Sequence, residues 1–123
     1  MIILSRETKF LLVVFIAGEI MGFALNFHNI LLEYDTFMHF VGGALVASLL
    51  AQSLIEFLGK FSYITNVFVT LGVGAAWEIA EFLADRVLGT TLQPSLGDTM
   101  VDLIIVLFAA IAVNIIYSMK HKK

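Results

Sequence analysis

Three pairs of ionisable residues stand at helical spacing: Asp35 and His39 at i, i+4, Glu78 and Glu81 at i, i+3, and Asp98 and Asp102 at i, i+4. On a helix the members of each pair share one face. Glu19 stands alone in an apolar stretch. Carboxylates gathered at one depth of a low-dielectric medium repel one another. They cannot all ionise unless a cation neutralises them or they share protons. Carboxylates with one imidazole suit zinc, manganese or iron, whereas oxygen ligands alone suit magnesium or calcium. The spacing therefore points to a divalent metal ion held by His39, Glu78, Glu81, Asp98 and Asp102. Glu19 or Asp35 would support the ligands or act as general base, and Arg86 and Gln93 would suit contacts to a substrate. Metal-activated water with a carboxylate base is the natural enzyme chemistry of such a set. Other catalytic patterns are missing from the sequence: it has no Gly-x-Ser-x-Gly elbow, no cysteine, no His-Glu-x-x-His and no phosphate-cradling glycine loop.

Simpler readings stand beside these. Asp35 and Thr36 could cap a helix, and Ser95-x-x-Asp98 reads as a capping box. His39, one turn inside its helix, cannot be a cap but could be a lone structural histidine. Glu81 could pair with Arg86, while Asp85 and Glu33 read as interfacial and solvated. Loop polarity would explain Arg86 and Gln93, and His28 near a span boundary says little. Trp77, Tyr34, Tyr63 and Tyr117 read as interfacial or packing aromatics. Neither capping nor solvation accounts for Glu78 or Asp102.

The elements that must position these residues follow from composition. The chain has 123 residues, 60% of them hydrophobic and 14% charged, with a mean hydropathy of +0.99. An average soluble domain is roughly 45–50% apolar and about 25% charged, and a core of this size could not hide the excess. Disorder requires low hydrophobicity, a nucleic-acid partner requires a basic excess, and a disulfide scaffold requires cysteines. The sequence has none of the three, with a net charge of −3 and no Cys. The expected class is an all-α integral membrane protein, residues 1–123 forming one transmembrane domain. Stretches at 10–26, 37–58, 63–84 and 99–119 are long enough to cross a bilayer as helices. Their runs are continuous rather than alternating, which argues against a β-barrel. The first stretch follows Arg6 and Lys9 but lacks a small-x-small cleavage site after it, so it reads as a retained helix.

Arg6, Lys9, Lys60, Lys120, Lys122 and Lys123 fall on one side of a four-span arrangement and Arg86 alone on the other. By the positive-inside rule both termini are cytoplasmic, in an antiparallel four-helix bundle of a prokaryotic plasma membrane. Glu7 and Glu56 share that side. The other eight acids lie in the outer half or in the outer loops, about 27–36 and 85–98. Gly43, Ala47 and Ala51 continue the Asp35/His39 face, Gly74 continues that of Glu78, and Ala109 that of Asp102. Small residues mark the packed side of a membrane helix, so the polar groups should face the bundle interior. The function these features favour is a metal-binding pocket in the outer half of the bilayer, serving hydrolysis or transfer on a lipid-like substrate that enters laterally. The alternatives are a proton or cation transport component and a non-catalytic structural module. Against transport, the inner half of the spans is apolar apart from Gln52, Ser53, Thr65, Asn66 and Asn114. Membrane lipids are the expected partners, and a homo-oligomer would suit the small surface that four short helices bury.

Tyr34-Asp35-x-x-x-His39-Phe40-x-Gly42-Gly43, Trp77-Glu78-x-x-Glu81-Phe82, Gly89-x-x-x-Gln93 and Asp98-Thr99-x-x-Asp102-Leu103 resemble the YjdF-like family of small bacterial and archaeal membrane proteins. The Asp-x-x-x-His opening, the mid-chain Glu and the late Asp more distantly resemble VanZ-like proteins linked to teicoplanin resistance. The resemblance covers 34–112. It implies a membrane protein of four or more helices whose motif positions are Asp35, His39, Glu78, Glu81, Gln93, Asp98 and Asp102. The chain departs from that pattern in its last helix, with Val106 and Ala109 where related sequences often carry Asp and Gly. That departure counts against a mechanism needing a third acid there.

Overall fold

The computed structural model describes residues 4–31, 33–59 and 62–120, the side chains of Asn29 and 54–57 excepted. Lys60, Lys122, Lys123 and the side chain of Glu56, used above to orient the chain, lie outside the described residues. Every regular element among the described residues is helical: α1 (Arg6–Ala24), the single turn α2 (Phe27–Ile30), α3 (Tyr34–Leu58), α4 (Ser62–Leu88) and α5 (Leu96–Lys120). The long helices begin one to four residues before the apolar stretches do, because the caps precede the hydrophobic runs. Ser5 caps α1 by accepting the Thr8 N–H at 3.2 Å. Ser95 does the same for α5, accepting the Asp98 N–H at 3.1 Å. At the far end of α4, Gly89 takes a left-handed conformation (φ 69°) that ends the helix. The helix thus runs one turn further than the apolar stretch, and the loop after it is shorter than 85–98.

Three helices are long and apolar enough to cross a membrane, over Tyr34–Ser53, Ser62–Leu88 and Leu96–Lys120. The first helix is not among them. Arg6, Glu7 and Lys9 lie in its first two turns and Glu19 in its body, which is too much charge for its 19 residues. Nor do four helices contribute equally to one bundle. α3, α4 and α5 pack against one another, while α1 packs along α3 and the one-turn α2. α3 is accordingly buried nearly all round over its middle, through Met38, His39, Val41, Gly43, Ala44, Leu45, Ala47 and Ala51.

Burial is inverted relative to a water-soluble protein. The largest fully buried side chains are Asn66, Thr8, Thr70, Asp102 and Ser62. Ile79, Val87, Ile104 and Phe108 are each at least 60% exposed. Hydrocarbon solvates leucine as well as another helix does, so membrane helices associate through small residues and polar ties instead.

Both devices are present. One layer joins the three core helices: a Cβ on Gly43 would lie 3.2 Å from the Val106 Cα, and one on Gly74 only 3.0 Å from the Val106 Cγ1. Two turns away the Asn66 amide donates to the Ala47 carbonyl at 2.9 Å and to Asn114 Oδ1 at 2.8 Å. Asn114 donates to the Tyr63 carbonyl at 2.9 Å, and Thr70 donates to Asn66 Oδ1 at 3.1 Å. α1 is pinned to α3 in the same way, with Thr8, Ser48 and Gln52 sharing hydrogen bonds and Ser5 N–H donating to Gln52 Oε1 at 2.8 Å. The polar residues at this end of the helices thus extend beyond the five named from the sequence, and Thr8, Ser48, Gln52, Asn66 and Asn114 tie helices together.

Candidate metal centre

One turn from the tight layer, on the side opposite the amides, stand three ionisable residues. His39 precedes Gly43 by four residues, Glu78 follows Gly74 by four, and Asp102 precedes Val106 by four. Because neighbouring helices run antiparallel, these offsets all lead to the same depth, about 6 Å above the contact. His39 Nε2 lies 3.4 Å from Glu78 Oε1, 3.7 Å from Asp35 Oδ2 and 3.9 Å from Glu81 Oε2. His39 is 6% exposed, Glu78 4% and Asp102 1%. Their interior orientation is the one the small-residue stripes call for.

Their hydrogen bonding sets this cluster apart from the amide layer below it. His39 Nε2, Glu78 Oε1, Asp35 Oδ2 and both carboxylate oxygens of Asp102 are buried and meet no donor or acceptor at bonding geometry among the described residues. Buried polar atoms in native structures nearly always have a partner, and those without one call for an explanation. Here the unpartnered atoms belong to metal-ligand types and face one another. They form three sets within each of which the ligand atoms lie within 4.8 Å: His39, Glu78 and Asp102; Asp35, His39 and Glu81; Asp35, Asp98 and Asp102. The donor chemistry therefore fits a divalent cation.

The remaining partners fix these carboxylates in place. Gln93 reaches back from the α4–α5 loop and donates to Glu78 Oε2 at 3.0 Å. Trp77 Nε1 donates to Glu81 Oε1 at 2.8 Å, so each of these glutamates has one oxygen held and one turned inward. Gln93 is itself placed by Asp85, whose carboxylate accepts from the Thr90 hydroxyl at 2.6 Å and from the Leu92 and Gln93 N–H groups at 2.8 and 2.9 Å. Asp85 is half-exposed and also organises its loop. Glu81 does not meet Arg86; the guanidinium lies over the Phe82 ring, 5.2 Å from its centroid, on an exposed face away from the cluster.

Glu19 and Asp35 are linked through a residue that sequence spacing missed. His28 Nδ1 lies 3.1 Å from Asp35 Oδ1, and its Nε2 lies 3.8 Å from Glu19 Oε2. The left-handed residue Asn26 (φ 58°) and the turn after it bring the imidazole there. Gly22 permits the approach, since a Cβ at that position would collide with the His28 ring. Glu19, His28 and Asp35 lie on three different helices, α1, α2 and α3, so periodicity along any one helix does not relate them. Trp77 and Tyr34 also do more than pack: the Tyr34 hydroxyl donates to the Gly18 carbonyl at 2.8 Å.

From the cluster a cleft of about 100 Å³ runs between α1 and α4 over α3. Phe15, Met38, Gly42, Val46, Val73 and Trp77 form its apolar wall, and Glu19, Asp35 and His39 stand at its polar end.

A family described as predicted membrane proteins, DUF2238, matches residues 2–123, nearly the whole chain. The chain belongs to DUF2238. A relative of this DUF2238 protein in Thermotoga maritima, described as an uncharacterized protein, is 35% identical over 92 residues, covering 70% of this chain and 48% of its own length. The chain thus spans about half the length of that curated relative. No solved structure matches it.

Proposed function

We propose that this DUF2238 protein binds a divalent metal ion, whether zinc, manganese, iron or magnesium, in a polar chamber within the membrane. His39, Glu78, Glu81, Asp98 and Asp102 are the ligands, joined by Asp35. The observation that carries this reading is the contrast between two buried polar layers of one helix core. The amides of Asn66 and Asn114 are paired and hold helices together, whereas Glu78, Asp35 and Asp102, one to two turns beyond the Gly43–Val106–Gly74 layer, keep buried oxygens without a partner. A structural network gains nothing from unpaired charges, which are costly in a membrane. A cation resolves that cost.

Such an ion supplies Lewis acidity toward a phosphoryl or carbonyl oxygen. Glu19, with His28 beside it and outside the three ligand sets, is placed to accept a proton. Gln93 orients Glu78 and can also reach a bound head group, and Arg86 stands outside to meet an anionic one. The apolar cleft leading to the cluster supports a lipid-like substrate and makes hydrolysis or head-group transfer the reaction class. The runner-up is a proton or cation conduit. The self-paired amides and the closed layer around Val106 favour a binding site over a path through the core. The YjdF-like resemblance fits the DUF2238 assignment, and we take the VanZ-like one as a more distant kinship.

In the arrangement we propose, α1 is the fourth span: its 19 residues rise about 28 Å, with Arg6, Glu7 and Lys9 at one end and Glu19 turned toward α3. Lys120 at the end of α5 reaches Glu7 at the start of α1, which supports both termini on one side. The basic residues make that side the cytoplasm of a prokaryotic cell. Because the sequence has no cysteine, single introduced cysteines can report this topology. Labelling of Ser118→Cys from outside intact cells would overturn it.

Elemental analysis of purified protein tests the metal reading. Bound divalent metal is expected in wild type and in smaller amount in His39→Ala and Glu78→Gln. Metal-free wild type, or wild-type occupancy in both variants, contradicts it.

A further inference from the structure

We infer that the chamber holds two divalent cations bridged by Asp102, an inference that rests on the metal-binding reading above. The ligand atoms do not converge on one point but fall into ion-sized sets with shared corners. His39, Glu78 and Asp102 form one set and Asp35, Asp98 and Asp102 another, each with its atoms within 4.8 Å. Ligand atoms bonded to one ion at about 2.0–2.2 Å lie no more than roughly 4.4 Å apart, so each set is close to the shell of a single ion. The two sets have only Asp102 in common. Both of its oxygens are buried and unpartnered, and the residue is 1% exposed. One oxygen for each ion is the arrangement of a bridging carboxylate. The third set, Asp35, His39 and Glu81, takes one residue from each of the other two and brings Glu81 to their junction.

Charge leads to the same count. The six residues carry five carboxylates and one imidazole. Among the described residues the ion pairs within the cluster involve histidines, and no lysine or arginine joins it. One divalent ion leaves three negative charges in a water-poor interior, and two ions leave one. Like charges at this spacing cannot all persist without neutralisation. Two-metal sites place their ions about 3.5–4 Å apart and clamp both ends of a transferring group, which suits head-group hydrolysis or transfer.

The experiment loads chelator-stripped protein with Mn²⁺, removes the excess, and measures manganese per chain together with the low-temperature electron paramagnetic resonance spectrum. Wild type is expected to retain two ions per chain, and the isolated six-line signal seen at low loading should give way to a spin-coupled spectrum as the second ion enters. Asp98→Asn and Glu78→Gln should each retain one ion with an uncoupled signal. A single ion in wild type, with Asp98→Asn unchanged, overturns the two-ion inference and leaves the metal site standing. No retained manganese in wild type removes both. The wild-type stoichiometry decides the matter even if a variant fails to fold.

Discussion

At the scale of residues, a buried polar atom with a partner and one without are different objects. Replacing Asn66 by Ala removes the donor to Ala47 and Asn114 and the acceptor for Thr70. It should destabilise the protein by about 1–3 kcal/mol, the usual cost of orphaning buried partners. Glu78→Gln and Asp102→Asn should do the opposite in chelator-treated protein, raising its thermal midpoint because each removes one charge from a repelling set. Midpoints measured in EDTA for the three variants check this, and a fall in all three would mark the cluster as another structural tie. All of the residues in the three ligand sets were legible in the sequence, because three pairs at i, i+3 or i, i+4 spacing on apolar helices have few other uses. His28 was not, since its approach depends on the left-handed turn at Asn26. The loop-organising role of Asp85 was not legible because its partners, the Thr90 hydroxyl and two loop N–H groups, are set by local chain geometry rather than by periodicity.

At the scale of elements, the cluster exists because α3, α4 and α5 approach closely one turn away. Gly74→Val would drive a branched side chain into Val106, whose Cγ1 already lies 3.0 Å from where a Cβ would stand. Overpacking of this kind costs about 1–3 kcal/mol. It should also lower metal retention although no ligand is changed, because Glu78 would move away from His39 and Asp102. Gly72→Val, two residues earlier with open space around its Cβ position, should leave retention intact, and metal content of the two variants compares them. The small-residue stripes made this packing readable in advance, together with the existence and order of the long helices. Their pairing was less accessible. Nothing in the spacing of apolar residues says that α3 is the hub, or that α1 leans mainly on α3 through Thr8, Ser48 and Gln52. That choice depends on hydrogen bonds between residues about 40 positions apart.

At the scale of the whole molecule, the chain closes on itself where Lys120 meets Glu7, and this pair holds the Glu7 carboxyl down from 4.5 to about 2. A carboxyl lowered on folding stabilises the native state above its unfolded value and loses that contribution as the pH falls through its folded value. Glu7→Gln should therefore flatten the decline of the thermal midpoint between about pH 4.5 and 2. The effect is small and salt-screened, since the pair is exposed. The inverted burial gives the molecule its membrane character, and the carboxylate oxygens without partners give it a candidate site. The account's central claim, that these carboxylates and His39 bind metal, is tested most directly by the thermal unfolding of chelator-stripped protein titrated with Zn²⁺ or Mn²⁺. Ligand present at about 100 times its dissociation constant adds about 2.7 kcal/mol to the native state. Wild type should show a rise in midpoint of that order, and His39→Ala and Glu78→Gln a clearly smaller one. A flat titration in wild type, or an equal rise in all three proteins, would contradict the account.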